Sequence, residues 1–327
     1  MFDLSTEHPL LTLTRLSATL ALPRILREAA RIGLGQFVLE EPRTLAEIAD
    51  HFGFDERVLG LFMDVLVAAD VFVEEDGKYH ASEFTEEIDA IDQLFVGMEN
   101  WHCWSALDES LRTGAPAFKQ LHGTDFFSYL AEHPAKNENW IHWNSVTSEE
   151  GFEGVVHKLP LRGDESICDI GGGRGELLCL LLDEFPDCAA ALMERPGVEL
   201  DEDTPFDWLV GDMFAEVPRG HDVYILSRVA CNWGDKEFLA VLRNIAQAMD
   251  GDSRLFIIDG VMPEKGDARR AGLVANSLNL FLMFGSRIRM QGEYDSLLQE
   301  AGLELRSIEE LGTDTDIGWS LLVATTQ

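Results

Sequence analysis

The stretch Ile167-Cys168-Asp169-Ile170-Gly171-Gly172-Gly173-Arg174-Gly175-Glu176 constrains the fold of this chain more than any other. A short apolar run ends at an acid, passes through closely spaced glycines, and enters the leucine-rich segment Leu177 to Leu182. That order reads as a buried strand, a tight turn and a helix start. Backbone N–H groups there can approach a ligand with no Cβ atoms in the way. A dinucleotide fingerprint G-x-G-x-x-G would need glycine at position 176, where Glu176 stands; the spacing is D-x-G-x-G-x-G instead.

From residue 163 onward, strands and helices alternate. Strand candidates are 166–170, 189–193, 206–210, 222–227 and 254–258, with helical stretches such as 235–249 between some of them. This predicts an α/β fold with a parallel, doubly wound sheet, whose ligand lies at the carboxyl ends of the strands near the glycine turn. After a helical run at 293–301 come 304–308 and 319–324, a closing pair that predicts one antiparallel edge strand. The interval between Glu194 and Phe206 is too short for a further full helix.

The N-terminal third has a different texture. Residues 10–35 carry leucines at helical period, Thr44-x-x-Glu47 is a capping box, and Asp55 opens a helix with Val58, Leu61, Phe62 and Val65 on one face. Strand-forming residues then flank Asp76-Gly77, a hairpin signal. Helix, helix and β-wing outline a winged helix. Arg57 is outnumbered by Asp55, Glu56, Asp64 and Asp70 on the helix that would enter a groove, so phosphate would repel it. The expected partition is 1–95 for this module, 96–160 for a helical linker and 161–327 for the ligand-binding domain.

Residues 94–150 are rich in aromatics and histidines. Trp101-His102 and His142-Trp143-Asn144 combine flat apolar surface with hydrogen-bonding tips, as a pocket for a planar molecule would.

Composition narrows the function. The net charge of −34 argues against a nucleic-acid partner and reads as a solubility or salt-tolerance feature rather than a device for steering a cation. The five cysteines are scattered without a C-x-x-C pair, so neither a disulfide framework nor a metal site is predicted. No apolar run reaches the roughly 18 residues of a membrane span, and the N-terminus lacks a basic-then-apolar signal. A soluble, cytoplasmic protein is expected.

Three further motifs follow the strands in order. Glu194 stands 25 residues after Asp169, where a carboxylate can accept both hydroxyls of a ribose. Gly211-Asp212-Met213-Phe214 follows the third strand; there Asp212 can take an adenine amino proton while Met213 packs on the ring. Ser227-Arg228-Val229-Ala230-Cys231-Asn232-Trp233-Gly234-Asp235 follows the fourth.

With the glycine turn, this series resembles the S-adenosylmethionine (SAM) dependent O-methyltransferases of the caffeate and hydroxyindole type, especially the bacterial phenazine methyltransferases of secondary metabolism. The resemblance spans nearly the whole chain. It implies a Rossmann-like class I sheet of seven strands, a winged-helix-like dimerisation domain at the N-terminus and hence a homodimer. It makes Asp169, Gly171, Gly173, Glu194, Asp212, Met213, Phe214, Ser227 and Arg228 the cofactor contacts. Asn279-Leu280-Phe281-Leu282-Met283 resembles the late substrate-lining helix. Trp101, Trp143, Asn144, Asn279 and Met283 are therefore the expected contacts to a small aromatic substrate.

One departure bears on mechanism. Family members that deprotonate a phenol read R-V-L-H-D-W at the fourth strand, with histidine as the base; here Cys231 and Asn232 occupy the positions of the histidine and the acid. The family's late glutamate falls at about Ile288, while Asp259 keeps the other acid. An acidic hydroxyl, already partly ionised, needs no strong base. Positioning alone can reach effective molarities of roughly 10⁵ M or more, whereas a general base adds about 10²–10⁴-fold. A substitute base is expected at His102, with Asn232 orienting the acceptor. Nothing in the sequence identifies a partner that would make Cys231 a thiolate. Three readings remain: an O-methyltransferase of acidic aromatic or heteroaromatic hydroxyls, with N-methylation left open; a SAM-binding relative that steers a rearrangement or hydroxylation; and a non-enzymatic regulator, which the acidic helix disfavours.

Overall fold

The computed structural model describes residues 21–86, 88, 98–199, 203–267, 269–312 and 318–327. The helical pattern expected at 10–20 and the expected boundary at 95 lie outside them. The chain divides into two compact units after Glu99, so the helices from 100 to 160 belong to the same unit as the sheet.

In the first unit, α1 (Ala21–Ile32), α2 (Leu34–Glu40), α3 (Leu45–Phe52) and α4 (Glu56–Ala68) precede a β-wing. The capping box of α3 is formed: Glu47 N–H donates to Thr44 Oγ1 at 3.3 Å and Thr44 N–H donates to Glu47 Oε2 at 2.7 Å. Asp55 Oδ1 caps α4 by accepting from Val58 N–H at 3.0 Å. Strands β2 (Phe72–Glu75) and β3 (Lys78–Ala81) pair antiparallel, with the two-residue β1 (Arg43–Thr44) on the other side of β3. Asp76 and Gly77 both take left-handed angles, φ 51° and 73°, as a tight hairpin turn demands. Leu34, Ile48, Leu59, Met63 and Leu66 form the buried centre.

Helix α5 (Met98–Ser105) spans the division, and the second unit continues with α6 (Leu107–Thr113), α7 (Ala117–His122), α8 (Phe126–Glu132) and α9 (Pro134–Phe152). The alternating part follows as β4 (Ser166–Ile170), α10 (Glu176–Glu184), β5 (Ala189–Glu194), β6 (Asp207–Val210), β7 (Val223–Ser227), α11 (Asp235–Ala248), β8 (Arg254–Gly260), α12 (Arg270–Phe284), α13 (Gln291–Glu300), β9 (Leu303–Glu310) and β10 (Trp319–Thr326). The seven strands lie in the order β6-β5-β4-β7-β8-β10-β9. From β6 to β8 neighbours are parallel, and β10 runs antiparallel to both β8 and β9. The antiparallel strand thus sits one place in from the edge. Its sequence explains this: β10 is apolar on both faces and buried along most of its length, whereas β9 alternates with acids and tolerates the edge.

Strands β4, β7 and β8 are buried on both faces. One face packs Tyr224, Leu242 and Ile257, the other Ile167, Leu178 and Phe256. Chain order reverses beside β4, whose neighbours are β5 and β7, and this opens a crevice at its carboxyl end. No helix lies between β5 and β6 among the described residues, and β6 is exposed along its length.

With 59 acids against 25 basic side chains, self-repulsion opposes the folded state. Raising ionic strength from 0.1 to 1 M shortens the Debye length from about 10 to about 3 Å. The melting temperature is therefore expected to rise with KCl, by about 2–4 °C per kcal/mol of relieved repulsion. A scan showing no rise would mean that the acids are already compensated locally.

Candidate active site

The turn from β4 into α10 is tighter than glycine content alone requires. A Cβ on Gly172 would lie 2.2 Å from Asp169 Oδ2 and 2.8 Å from Leu192 Cδ1, and one on Gly175 would lie 2.3 Å from Phe206 Cζ. Gly175 also has φ 85°, so helix α10 enters directly beneath the Phe206 ring. Beneath the turn Asp169 is fully buried, and neither carboxylate oxygen has a hydrogen-bond partner. Burial first, then Glu194 and Glu176, push its pKa up to about 8. Glu194, at the end of β5, accepts from Gly173 N–H at 3.0 Å and Arg195 N–H at 2.8 Å. Burial raises its pKa against the pull of those two donors.

The next two loops complete the crevice. Asp212 accepts from Phe214 N–H at 2.9 Å, and Asn244 Nδ2 donates to the Met213 carbonyl at 2.8 Å. Ser227 Oγ, at the end of β7, is buried without a partner. Arg228 takes a left-handed φ of 58°, which turns its side chain toward α9. Its guanidinium donates to Ser148 Oγ at 2.8 Å, Asn144 Oδ1 at 2.9 Å and the Asn144 carbonyl at 3.2 Å. These partners are all neutral, and burial lowers the arginine's pKa.

Beyond Arg228 a short 3₁₀ turn, Ala230–Asn232, holds the positions where the sequence departs from its relatives. Asn232 Nδ2 donates to the Arg228 carbonyl at 2.9 Å. Cys231 N–H donates to Asp259 Oδ2 at 2.9 Å, and the thiol lies 3.7 Å from Asn232 Oδ1. Burial, then the Asp259 carboxylate, push the Cys231 thiol well above its ordinary range. Such a placement favours the protonated thiol, the poorer nucleophile of its two forms.

These loops enclose a cavity of about 940 Å³. Its walls bring together Asp169, Gly171, Gly173, Glu194, Asp212, Met213, Phe214, Ser227 and Arg228, with Asn144 and Asn232 opposite. Six aromatic rings complete it, Phe152 among them. Phe127 stacks on Trp233 at 4.8 Å and on Phe284 at 6.0 Å, Phe214 meets Trp233 edge-on at 4.7 Å, and Trp140 meets Phe284 at 5.9 Å.

Other expected site residues are placed elsewhere. His102 is exposed on α5, and neither it nor half-buried Trp101 is part of the cavity wall, so the proton-accepting role expected of His102 has no geometry behind it. Trp143 is half-buried and off the wall, because the α9 turn that presents Trp140 and Asn144 rotates it away. Asn279 is buried in a helix contact, where its Oδ1 accepts from Asn100 Nδ2 at 2.7 Å and Trp104 Nε1 at 2.8 Å. Met283 is buried behind the wall and Phe284 takes its place. Cys231 also lies behind the wall, which Asn232 forms.

Comparison with known proteins places this arrangement. Residues 104–304, more than half of the chain, match the O-methyltransferase domain family. The chain belongs to the O-methyltransferase family. A mitomycin biosynthesis 6-O-methyltransferase of Streptomyces lavendulae is 30% identical over 305 residues, covering 86% of this chain and 85% of that protein. A phenazine-1-carboxylate N-methyltransferase of Pseudomonas aeruginosa is 28% identical, covering 88% and 90%. An O-methyltransferase from neocarzinostatin biosynthesis, solved with S-adenosyl-L-homocysteine and 1,4-dihydroxy-2-naphthoic acid, superposes with a TM-score of 0.78 at 25% identity, covering 96% of this chain and 98% of that one.

In this O-methyltransferase the aromatic wall escaped the reading of the sequence, although a signal was present. Trp140, Ile141, Asn144, Ser145, Ser148 and Phe152 recur at helical spacing along α9 and all reach the cavity. That periodicity selects Trp140 over Trp143. Phe127 and Phe284 carried no comparable mark: Phe127 sits beside Phe126 and Phe284 beside Met283, and only packing chooses within each pair.

Proposed function

We propose that this enzyme transfers the methyl group of S-adenosyl-L-methionine to an already acidic hydroxyl of a small aromatic or heteroaromatic metabolite, leaving S-adenosyl-L-homocysteine. The observation that carries this reading is the cavity wall itself: six aromatic rings, and no histidine among its described residues.

The cofactor fits what the chain offers. Asp169 is a buried carboxylate with no partner, Ser227 a buried hydroxyl with none, and a Cβ at Gly172 would fill the cradle. Asp169 and Ser227 would hold the polar end of the cofactor, Glu194 the ribose, and Asp212 with Met213 and Phe214 the adenine. The bound sulfonium supplies an activated methyl. The rest falls to positioning: Phe127, Trp140, Trp233 and Phe284 sandwich a planar acceptor and keep water out, while Asn144 and Asn232 orient its oxygen. The acceptor's proton leaves before methyl transfer, so no side chain has to take it.

Cys231→Ser is expected to retain turnover within about threefold, against the roughly 10²–10⁴-fold loss that follows removal of a general base. A loss beyond tenfold would make the thiol a participant. With labelled SAM and phenols of graded acidity, rates should rise with acceptor acidity and follow acceptor ionisation as pH rises. Equal rates on weakly and strongly acidic phenols would reveal a base and overturn the reading.

N-methylation is the second reading. A ring nitrogen also needs no base, and one relative is a phenazine-1-carboxylate N-methyltransferase. Product analysis with hydroxylated and unsubstituted heterocycles separates the two. A homodimer through the first unit is supported by Val58 and Leu61, which stand 55% and 67% exposed on α4. Among the described residues no helix is long and apolar enough to cross a membrane.

A further inference from the structure

Asp169 is an anomaly as the structure stands. A buried carboxylate normally collects several N–H donors or a cation, and here neither oxygen has a well-formed hydrogen bond between the glycine turn and Leu192, the Ile170 N–H lying only close enough to moderate its pKa. The groups that face it are negative or neutral. Glu194 closes in from β5 and Glu176 from the first turn of α10; Cys168, on the opposite face of β4, is a thiol held up at about 12 by burial and by Asp169 itself. The nearby cations are engaged elsewhere: Arg174 on Glu138 at 2.6 Å, Arg195 on Asn137, and Arg228 on Asn144 and Ser148. Glu194 differs, because each of its oxygens already accepts a backbone N–H.

A carboxylic acid in such a place is stable when neutral, and as an anion only when a positive charge arrives. SAM would bring two positive charges to this end of the pocket, the ammonium of the polar end that Asp169 would hold and, four bonds away, the sulfonium; the thioether left after transfer keeps only the first. We propose that Asp169 is the charge selector of the cofactor pocket: neutral in the free enzyme, it releases its proton to solvent as the sulfonium cofactor enters, and it favours that cofactor over the demethylated product. The O–H bond of the acid breaks, the proton goes to buffer, and the electron pair stays on the carboxylate facing the cation. This rests on the cofactor reading given above and adds a residue, a sign and a pH window to it.

The sign follows from the free-state pKa of about 8. Below that pH the pocket must lose a proton to bind SAM, so affinity climbs as pH rises; above it the acid is already ionised and affinity levels off.

Isothermal titration of the full chain with SAM and with S-adenosyl-L-homocysteine, in phosphate and in Tris, tests this without turnover. Between pH 6 and 7 the expected result is close to one proton released per SAM bound, with affinity rising up to about tenfold per pH unit, and the release falls to about half a proton at pH 8. Fewer protons should be released by the homocysteine product, so preference for SAM widens over the same range. Asp169→Asn should bind with flat pH dependence and no buffer dependence, while Glu194→Gln should bind more weakly and still release the proton. Measurable SAM binding with buffer-independent heats overturns the inference, as does equal release by both ligands; the wild-type titrations suffice if a variant fails to fold. No uptake of either ligand by folded protein would instead remove the cofactor reading itself.

Discussion

Replacing Gly172 by alanine is expected to weaken SAM binding by at least about a hundredfold, or about 2.7 kcal/mol, while leaving the protein folded. The added Cβ would stand 2.2 Å from Asp169 Oδ2 and 2.8 Å from Leu192 Cδ1, a conflict that moves either the turn or the acid. Gly172 does not have the left-handed backbone of Gly171, Gly173 and Gly175, so alanine brings no backbone strain and the effect stays local. Circular dichroism should therefore match wild type while calorimetry loses the ligand. Binding within about threefold of wild type would mean that this cradle is not where the cofactor sits.

The second large effect is expected from Arg289→Met. Arg289 is fully buried and holds the turn that carries Asn232 and Trp233, donating to the Ala230 carbonyl at 2.6 Å, the Trp233 carbonyl at 2.7 Å and Asp235 Oδ1 at 2.9 Å. Its guanidinium also lies over the Phe238 ring at 4.8 Å. Methionine fills part of the volume and removes a charged donor from both carbonyls, leaving that of Ala230 only the Trp233 N–H at 3.4 Å. Asp235 is 44% exposed and keeps Arg287 at 2.9 Å, so the loss comes from hydrogen bonds to a charged donor rather than from a stranded charge, about 3 kcal/mol in all. Thermal unfolding should shift down by roughly 6–12 °C. Turnover measured well below the melting point should fall too, because the turn no longer presents Asn232. A shift of less than about 2 °C would place the anchor of that turn elsewhere.

Neither residue was equally visible beforehand. The D-x-G-x-G-x-G spacing made the Gly172 cradle legible, since strand, turn and helix are contiguous and their geometry follows from which residues lack a Cβ. Arg289 had no such mark: it acts on carbonyls 59 and 56 residues away. The cofactor side of the cavity was legible throughout for the same reason. Asp169, Glu194, Asp212 and Ser227 each stand at the carboxyl end of a strand, and a parallel sheet gathers such ends in one crevice whatever else the chain does.

The acceptor side obeyed no such rule. Its residues come from helices α8, α9 and α12, where the composition announces aromatics but the rotation of each helix decides which of them faces inward. Trp101, His102, Trp143 and Met283 are turned away, while Phe127, Trp140 and Phe284 are turned in. Asn279 is drawn off the wall by Asn100, a partner 179 residues distant. From its sequence alone the chain determined its strands, its caps, its nucleotide crevice and the presence of Cys231 and Asn232 on the turn after β7. The tertiary structure alone decided which rings enclose the acceptor and that Asp169 is buried without a partner. Strand ends and turns are set by neighbours a few residues apart, whereas helix rotation and burial are set by packing across the whole unit.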